Sequence, residues 1–181
     1  MKYININTIY KIAPFFRFCR DNESDHPDYV SFCVKQNDAI RYESHLSHSK
    51  IRRYHGQVKH LMNAMERVFR LCQKNITYIV PEENGRYFFN NNPFAHLGKG
   101  LNKKKCISTE SGRLIRSFLQ SAFLPSCYQL AFSSNDFSLI ATPTDHMDVF
   151  FYIHKDLWVT LTQKEELLKG TDEIKIESLS T

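Results

Sequence analysis

The chain has 181 residues, of which 42% are hydrophobic and 13% aromatic, and its 24 basic and 19 acidic side chains give a formal net charge of +5. This length and composition fit one folded domain with a sizeable core, and they exclude a disordered or low-complexity chain.

The cysteines and the apolar runs exclude several further classes. Five widely spaced cysteines without a C-x-x-C pair predict reduced thiols rather than a disulfide framework, and they offer no zinc-ligand spacing. The N-terminus lacks the apolar core and cleavage site of a signal peptide, and no run approaches about 18 apolar residues. We therefore expect a cytoplasmic protein without a membrane span, a metal or a cofactor.

The first half of the chain predicts short strands and then one long helix. Residues 3–19 predict a short strand or helix, and residues 29–34 and 39–42 predict a pair of strands. From about residue 49 to 74, apolar side chains recur at three- and four-residue spacing. Such spacing is typical of an amphipathic helix that buries one face.

The second half predicts mainly strands around a second helix. Residues 76–80 and 86–89 predict a hairpin, and residues 90–105 a long loop. An apolar stripe over about 110–124 predicts the second helix. The remaining predicted elements are strands at 128–132, 137–142 and 148–153, a candidate fourth strand at 157–161, and a short helix at 162–169 that begins with a capping box.

The order of these elements favours an α+β fold. Strands and helices come in clusters rather than in strict alternation, which predicts a mainly antiparallel sheet. Two long amphipathic helices, about 49–74 and 110–124, would pack against it, and a short helix would lie near the C-terminus. We expect a single domain over residues 1–181, with about the last ten residues frayed.

The long helix also concentrates positive charge. Residues 50–74 contain seven basic side chains and one acid, a net charge of +6, whereas the remainder of the chain sums to −1. Such a face can contact phosphates or an acidic protein, although a solvated helix face looks the same. The predicted partner-binding residues are Arg52, Arg53, Lys59, Arg67 and Arg70, extended by Lys103, Lys104 and Lys105 if the 90–105 loop folds beside the helix.

A second candidate site lies along the strand at 148–153. With a period of two, His146, Asp148 and His154 share one strand face, and Val149 and Phe151 point into the core. Imidazoles beside a carboxylate can act as acid and base or bind a metal. A strand with one wet face shows the same pattern, and no third and fourth metal ligand can be placed. These three residues are therefore weak catalytic candidates.

No motif in the chain identifies a reaction, and three functions stay open. The favoured hypothesis is a non-catalytic interaction protein of inhibitor, immunity (toxin-neutralising) or regulatory type. It would bind an anionic macromolecule, a protein surface in preference to nucleic acid, through the basic helix and the 90–105 loop. The first alternative is a nucleic-acid-binding protein that places this helix on phosphates. The second is a nuclease or phosphodiesterase that uses His146, Asp148 and His154.

Overall fold

A computed structural model describes residues 1–13, 27–41, 45–81, 105–123, 130–172 and 174–178, to which all structural statements apply. These residues form one antiparallel sheet of eight strands together with five helices. The predicted α+β class with a mainly antiparallel sheet is therefore confirmed.

The strands follow the chain only in part. In chain order they are β1 (Lys2–Asn5), β2 (Tyr29–Gln36), β3 (Tyr78–Pro81), β4 (Lys105–Ser108), β5 (Leu130–Ser133), β6 (Leu139–Thr144), β7 (Asp148–His154) and β8 (Ile174–Ser178). Their spatial order is β1-β4-β3-β5-β6-β7-β2-β8. The consecutive strands β5, β6 and β7 form a meander, and β2 lies between β7 and the edge strand β8.

The helices differ greatly in length. They are α1 (Ile6–Ile12), α2 (His48–Leu71), α3 (Gly112–Ala122), α4 (Lys155–Thr160) and α5 (Lys164–Leu167). Ser47 and Ser111 are the N-caps of α2 and α3, because their side chains accept hydrogen bonds from backbone N–H groups of the first turn. With 24 residues in α2 and 11 in α3, the prediction of two long helices is not confirmed. The short C-terminal helix is present as α5.

The larger core lies between the sheet and the helix pair α2 and α3. Alternate strand residues face it, and Phe32 of β2 stacks on its cross-strand partner Phe151 of β7 with ring centroids 5.0 Å apart. Leu61 and Met65 of α2 and Leu119 of α3 are fully buried against this face. Burial of this apolar surface fixes which side of α2 points to solvent.

The smaller core lies on the opposite face of the sheet. Ile6 and Ile9 of α1 pack there with Cys106 of β4, Ile140 of β6 and Tyr152 of β7. The alternation of β7 between these two cores confirms the period-two pattern of the sequence.

Several predicted elements differ in the structure. The candidate strand at 157–161 is wrong, since helix α4 covers most of it; His154 begins this helix by accepting a hydrogen bond from the Asp156 N–H at 3.3 Å. Residues 39–41 do not form a strand. The predicted strand at 86–89 and most of the 90–105 loop lie outside the described residues.

Near the chain end, residues 174–178 form β8. Ile174 and Ile176 pack against the larger core, and Lys35 of β2 contacts the Glu177 carboxylate at 2.5 Å. The hydrogen bond from Lys35, together with one from Lys175, lowers the pKa of Glu177. Apolar alternation therefore places Ile174 and Ile176 of β8 against the larger core.

Candidate binding surface

The orientation of α2 follows from its buried face. Tyr54, Val58 and Leu61 are buried on this side. The Tyr54 hydroxyl donates a 2.8 Å hydrogen bond to the carbonyl oxygen of Phe123, at the end of α3. Because both partners are buried, this bond fixes the two helices relative to each other.

Helix α3 lies beside α2 and runs antiparallel to it. Arg116 donates two hydrogen bonds to the Glu66 carboxylate, from Nε to Oε1 and from Nη2 to Oε2, each of 2.7 Å. Residue 116 therefore lies beside residue 66, while residue 123 lies beside residue 54. The hydrogen bonds to Glu66 raise the pKa of Arg116 and neutralise the single acid of α2.

The two helices together carry more positive charge than the sequence prediction assigned to α2 alone. Helices α2 and α3 contain eight basic residues and one acid, a net charge of +7, and the rest of the chain sums to −2. Sequence reasoning missed Arg113 and Arg116. The sequence feature that could have revealed them is a pair of arginines three residues apart on the polar face of a helix that contains no acidic residue.

Three of the predicted residues form a ridge along the outward side of α2. Arg52, Lys59 and Arg70 are exposed, and at about 100° per residue they lie within about 20° of one another around the helix. At about 1.5 Å per residue the ridge is about 27 Å long. Within the described part of the chain, none of the three forms an ion pair, and neither does Arg113.

The other two predicted residues of α2 form ion pairs with carboxylates. Arg53 Nη2 lies 3.8 Å from Asp38 Oδ2, and Arg67 Nη2 lies 3.4 Å from Glu166 Oε1. All four side chains are at least one-third exposed, so the pairs add little stability. They place acids at the edge of the basic surface and reduce its charge there.

The predicted extension through the 90–105 loop stays a prediction. Lys103 and Lys104 lie outside the described residues. Lys105 is exposed at the start of β4, the second strand from the β1 edge of the sheet.

The structure does not bring His146, Asp148 and His154 together. Asp148 and His154 are the first and last residues of β7, roughly 20 Å apart at a strand rise of about 3.3 Å per residue. His146 is exposed in the turn that precedes the strand. At this separation Asp148 and His154 are too far apart to share a hydrogen-bonded acid–base site.

Each of these three side chains has a local partner instead. The buried Asp148 carboxylate accepts a hydrogen bond from Thr144 Oγ1, and His146 Nδ1 lies 2.8 Å from Arg41 Nη2. His154 begins α4, and its ring packs edge-on against Tyr29. In the described ranges, no group of three His, Cys, Asp or Glu residues could hold a metal ion.

The described cysteines are protected from reaction. Cys33, Cys72 and Cys106 are free and buried. Burial raises the pKa of Cys33 to about 12 and the pKa values of Cys72 and Cys106 to about 11. At neutral pH these thiols are protonated, which is unfavourable for nucleophilic catalysis.

Comparisons with protein-family models, with curated proteins and with solved structures found no match to this chain. Among the described residues, no helix combines the length and apolarity needed to cross a membrane. The charged surface of α2 and α3 is the feature on which a functional hypothesis rests.

Proposed function

We propose that the protein is a non-catalytic interaction protein that binds an acidic protein surface through the outward side of α2 and the neighbouring α3. The observation that carries this proposal is the net charge of +7 on two adjacent helices, in a chain whose remaining residues sum to −2. Arg52, Lys59, Arg70 and Arg113 are exposed and have no ion-pair partner among the described residues. Charge complementarity of this kind accelerates docking and selects the partner.

The mixture of charges favours a protein partner over a nucleic acid. Asp38 and Glu166 lie at the edge of the surface, each beside an arginine of α2, and acids at these positions repel phosphates. Arginine is also enriched in protein interfaces. A nucleic acid would have only a few phosphate contacts along the ridge, and each contact contributes about 0.9 to the salt slope.

The size of the surface suggests that further residues take part. A ridge of about 27 Å beside a second helix about 8–10 Å away spans roughly 250 Å², whereas each partner in a standard interface buries roughly 800 Å². This difference supports our hypothesis that the 90–105 loop adds to the contact. An inhibitor, an immunity protein or a regulator would each use such a surface.

Affinity capture at two salt concentrations tests this proposal. The tagged protein is incubated at low ionic strength with lysate of the cells that make it, with and without nuclease, and bound material is eluted with salt. We expect an acidic protein that is retained after nuclease treatment and released as salt rises, because screening weakens exposed charge pairs. Capture that depends on nucleic acid would instead support the phosphate-binding alternative and contradict the proposal.

A further inference from the structure

A cavity opens on the flank of α2 that is turned away from α3. It has a volume of about 330 Å³ and lies between α2, the edge strand β8 and the segment that follows α5. This volume is at the lower end of the range for small-molecule sites, about 300 to 1,000 Å³. None of the preceding functional hypotheses assigns a role to the cavity.

The floor of the cavity is aliphatic. Leu71 of α2, Leu167 of α5 and Ile174 and Ile176 of β8 line it. Leu167 is 3% exposed and packs in the larger core, so the floor continues the core surface. An aliphatic or aromatic group placed here would remove apolar surface from water.

The charged residues at the cavity are all positive. Arg67, Arg70 and Lys169 line it, and no carboxylate lines it among the described residues. Three cations beside an aliphatic floor match a molecule with an apolar body and an anionic head group.

We infer that this cavity binds a small amphipathic anion, an apolar body that carries one carboxylate or phosphate group. The body lies on the floor formed by Leu71, Ile174 and Ile176, and the head group contacts Arg70 and Lys169. Arg67 is held by Glu166 at 3.4 Å, and the ligand head group competes with this carboxylate for the guanidinium.

Isothermal titration with octanoate, 1-octanol and octylammonium tests both halves of this inference. The three molecules share one apolar chain and differ in head-group charge. We expect saturable octanoate binding, about tenfold weaker binding of octanol, as for loss of one charged hydrogen bond, and no detectable binding of octylammonium. Equal binding of octanoate and octanol, or no saturable octanoate binding, would overturn the inference.

Substitutions at residues that line the cavity test whether octanoate binds there. Ala64→Phe places a larger side chain in the cavity and should abolish binding of both octanoate and octanol, with Ala64→Leu as a milder variant. Lys169→Gln should weaken octanoate binding about tenfold and leave octanol unchanged. The control Lys59→Gln removes an α2 cation that does not line the cavity and should change neither. Octanoate binding that persists in a folded Ala64→Phe variant would place the ligand elsewhere and contradict the assignment.

Glu166→Gln tests the proposed competition. Releasing Arg67 from its carboxylate partner should tighten octanoate binding about threefold, a change of the size of one exposed ion pair. Weaker binding would show that Glu166 positions Arg67 rather than competing for it.

A peptide with acidic and apolar residues that displaces octanoate would assign the cavity to a protein partner and contradict the small-molecule inference. The proposed partner surface is tested separately, through Arg52, Lys59 and Arg113.

Discussion

The inward and outward sides of α2 belong to one 24-residue helix, yet different interactions hold their side chains. On the inward side, Leu61 and Met65 are fully buried, and Tyr54 is hydrogen-bonded to α3. On the outward side, Arg52 and Lys59 are exposed and form no ion pair within the described residues. Folding therefore depends on the first side, and the charge of the second is available for a partner.

Removing a buried side chain should have the largest effect. Leu61→Ala is expected to lower the free energy of unfolding by about 3 kcal/mol, because it creates a cavity in the larger core. Urea denaturation measures this change. The control Lys59→Ala, two residues away on the exposed side, should stay within about 0.5 kcal/mol. Similar losses of unfolding free energy in both variants would contradict the burial of this side of α2 in the larger core.

A smaller loss is expected at the contact between α2 and α3. Tyr54→Phe removes the hydroxyl that donates to Phe123 and leaves a buried carbonyl without this donor. The free energy of unfolding should fall by about 1–2 kcal/mol. Tyr3→Phe, at a tyrosine that is 41% exposed, is the matched control in the same denaturation assay. An equally small change in both variants would mean that this bond does not tie the helices together.

A pH-dependent effect is expected just beyond α2, where Lys74 contacts Asp136 at 2.5 Å. Burial raises the pKa of Asp136, but hydrogen bonds from Lys74, Ser134 and Ser138 together outweigh it and hold the pKa well below its usual range. Asp136→Asn should therefore cost about 1 kcal/mol at pH 7, a value reduced by the partial exposure of the pair.

The sign of the pH dependence follows from the lowered pKa. Stabilisation by the Asp136 carboxylate is complete above the unfolded pKa of about 3.9 and is lost as the pH falls through the lower folded pKa. The stability difference between wild type and Asp136→Asn should shrink between about pH 4 and pH 2. A difference that stays constant over this interval would exclude a role for ionisation, and the exposed Asp172→Asn serves as control.

The sequence predicted best those elements whose periodicity is strong. The apolar spacing of α2 and the alternation of β7 between two cores both appear in the structure. Residues 157–161 misled the prediction because an apolar, β-branched run resembles a strand, whereas His154 caps a helix there. The local sequence pattern alone does not predict a helix whose start depends on the position of His154 in the folded chain.

Long-range pairing explains why the binding surface was predicted only in part. Glu66 meets Arg116 across 50 residues of chain, and Arg67 meets Glu166 across 99. Neither pair has a signal in local spacing, so the sequence did not reveal which cations of α2 are engaged. The cavity beside β8 depends on the same folding of distant segments.

For His146, Asp148 and His154, strand alternation correctly placed Asp148 and His154 on one face, but a shared face does not imply proximity.

Charge reversal on the outward side of α2 and α3 tests the central claim most directly. The variant Arg52→Glu/Lys59→Glu/Arg113→Glu is compared with Lys2→Glu/Lys11→Glu/Lys155→Glu, which changes the net charge equally at exposed residues elsewhere. Both should remain folded, since each surface substitution changes stability by no more than about 0.5 kcal/mol. In parallel affinity capture, the first variant should lose the acidic partner and the second should retain it. Unchanged partner recovery by a folded first variant would contradict the proposal.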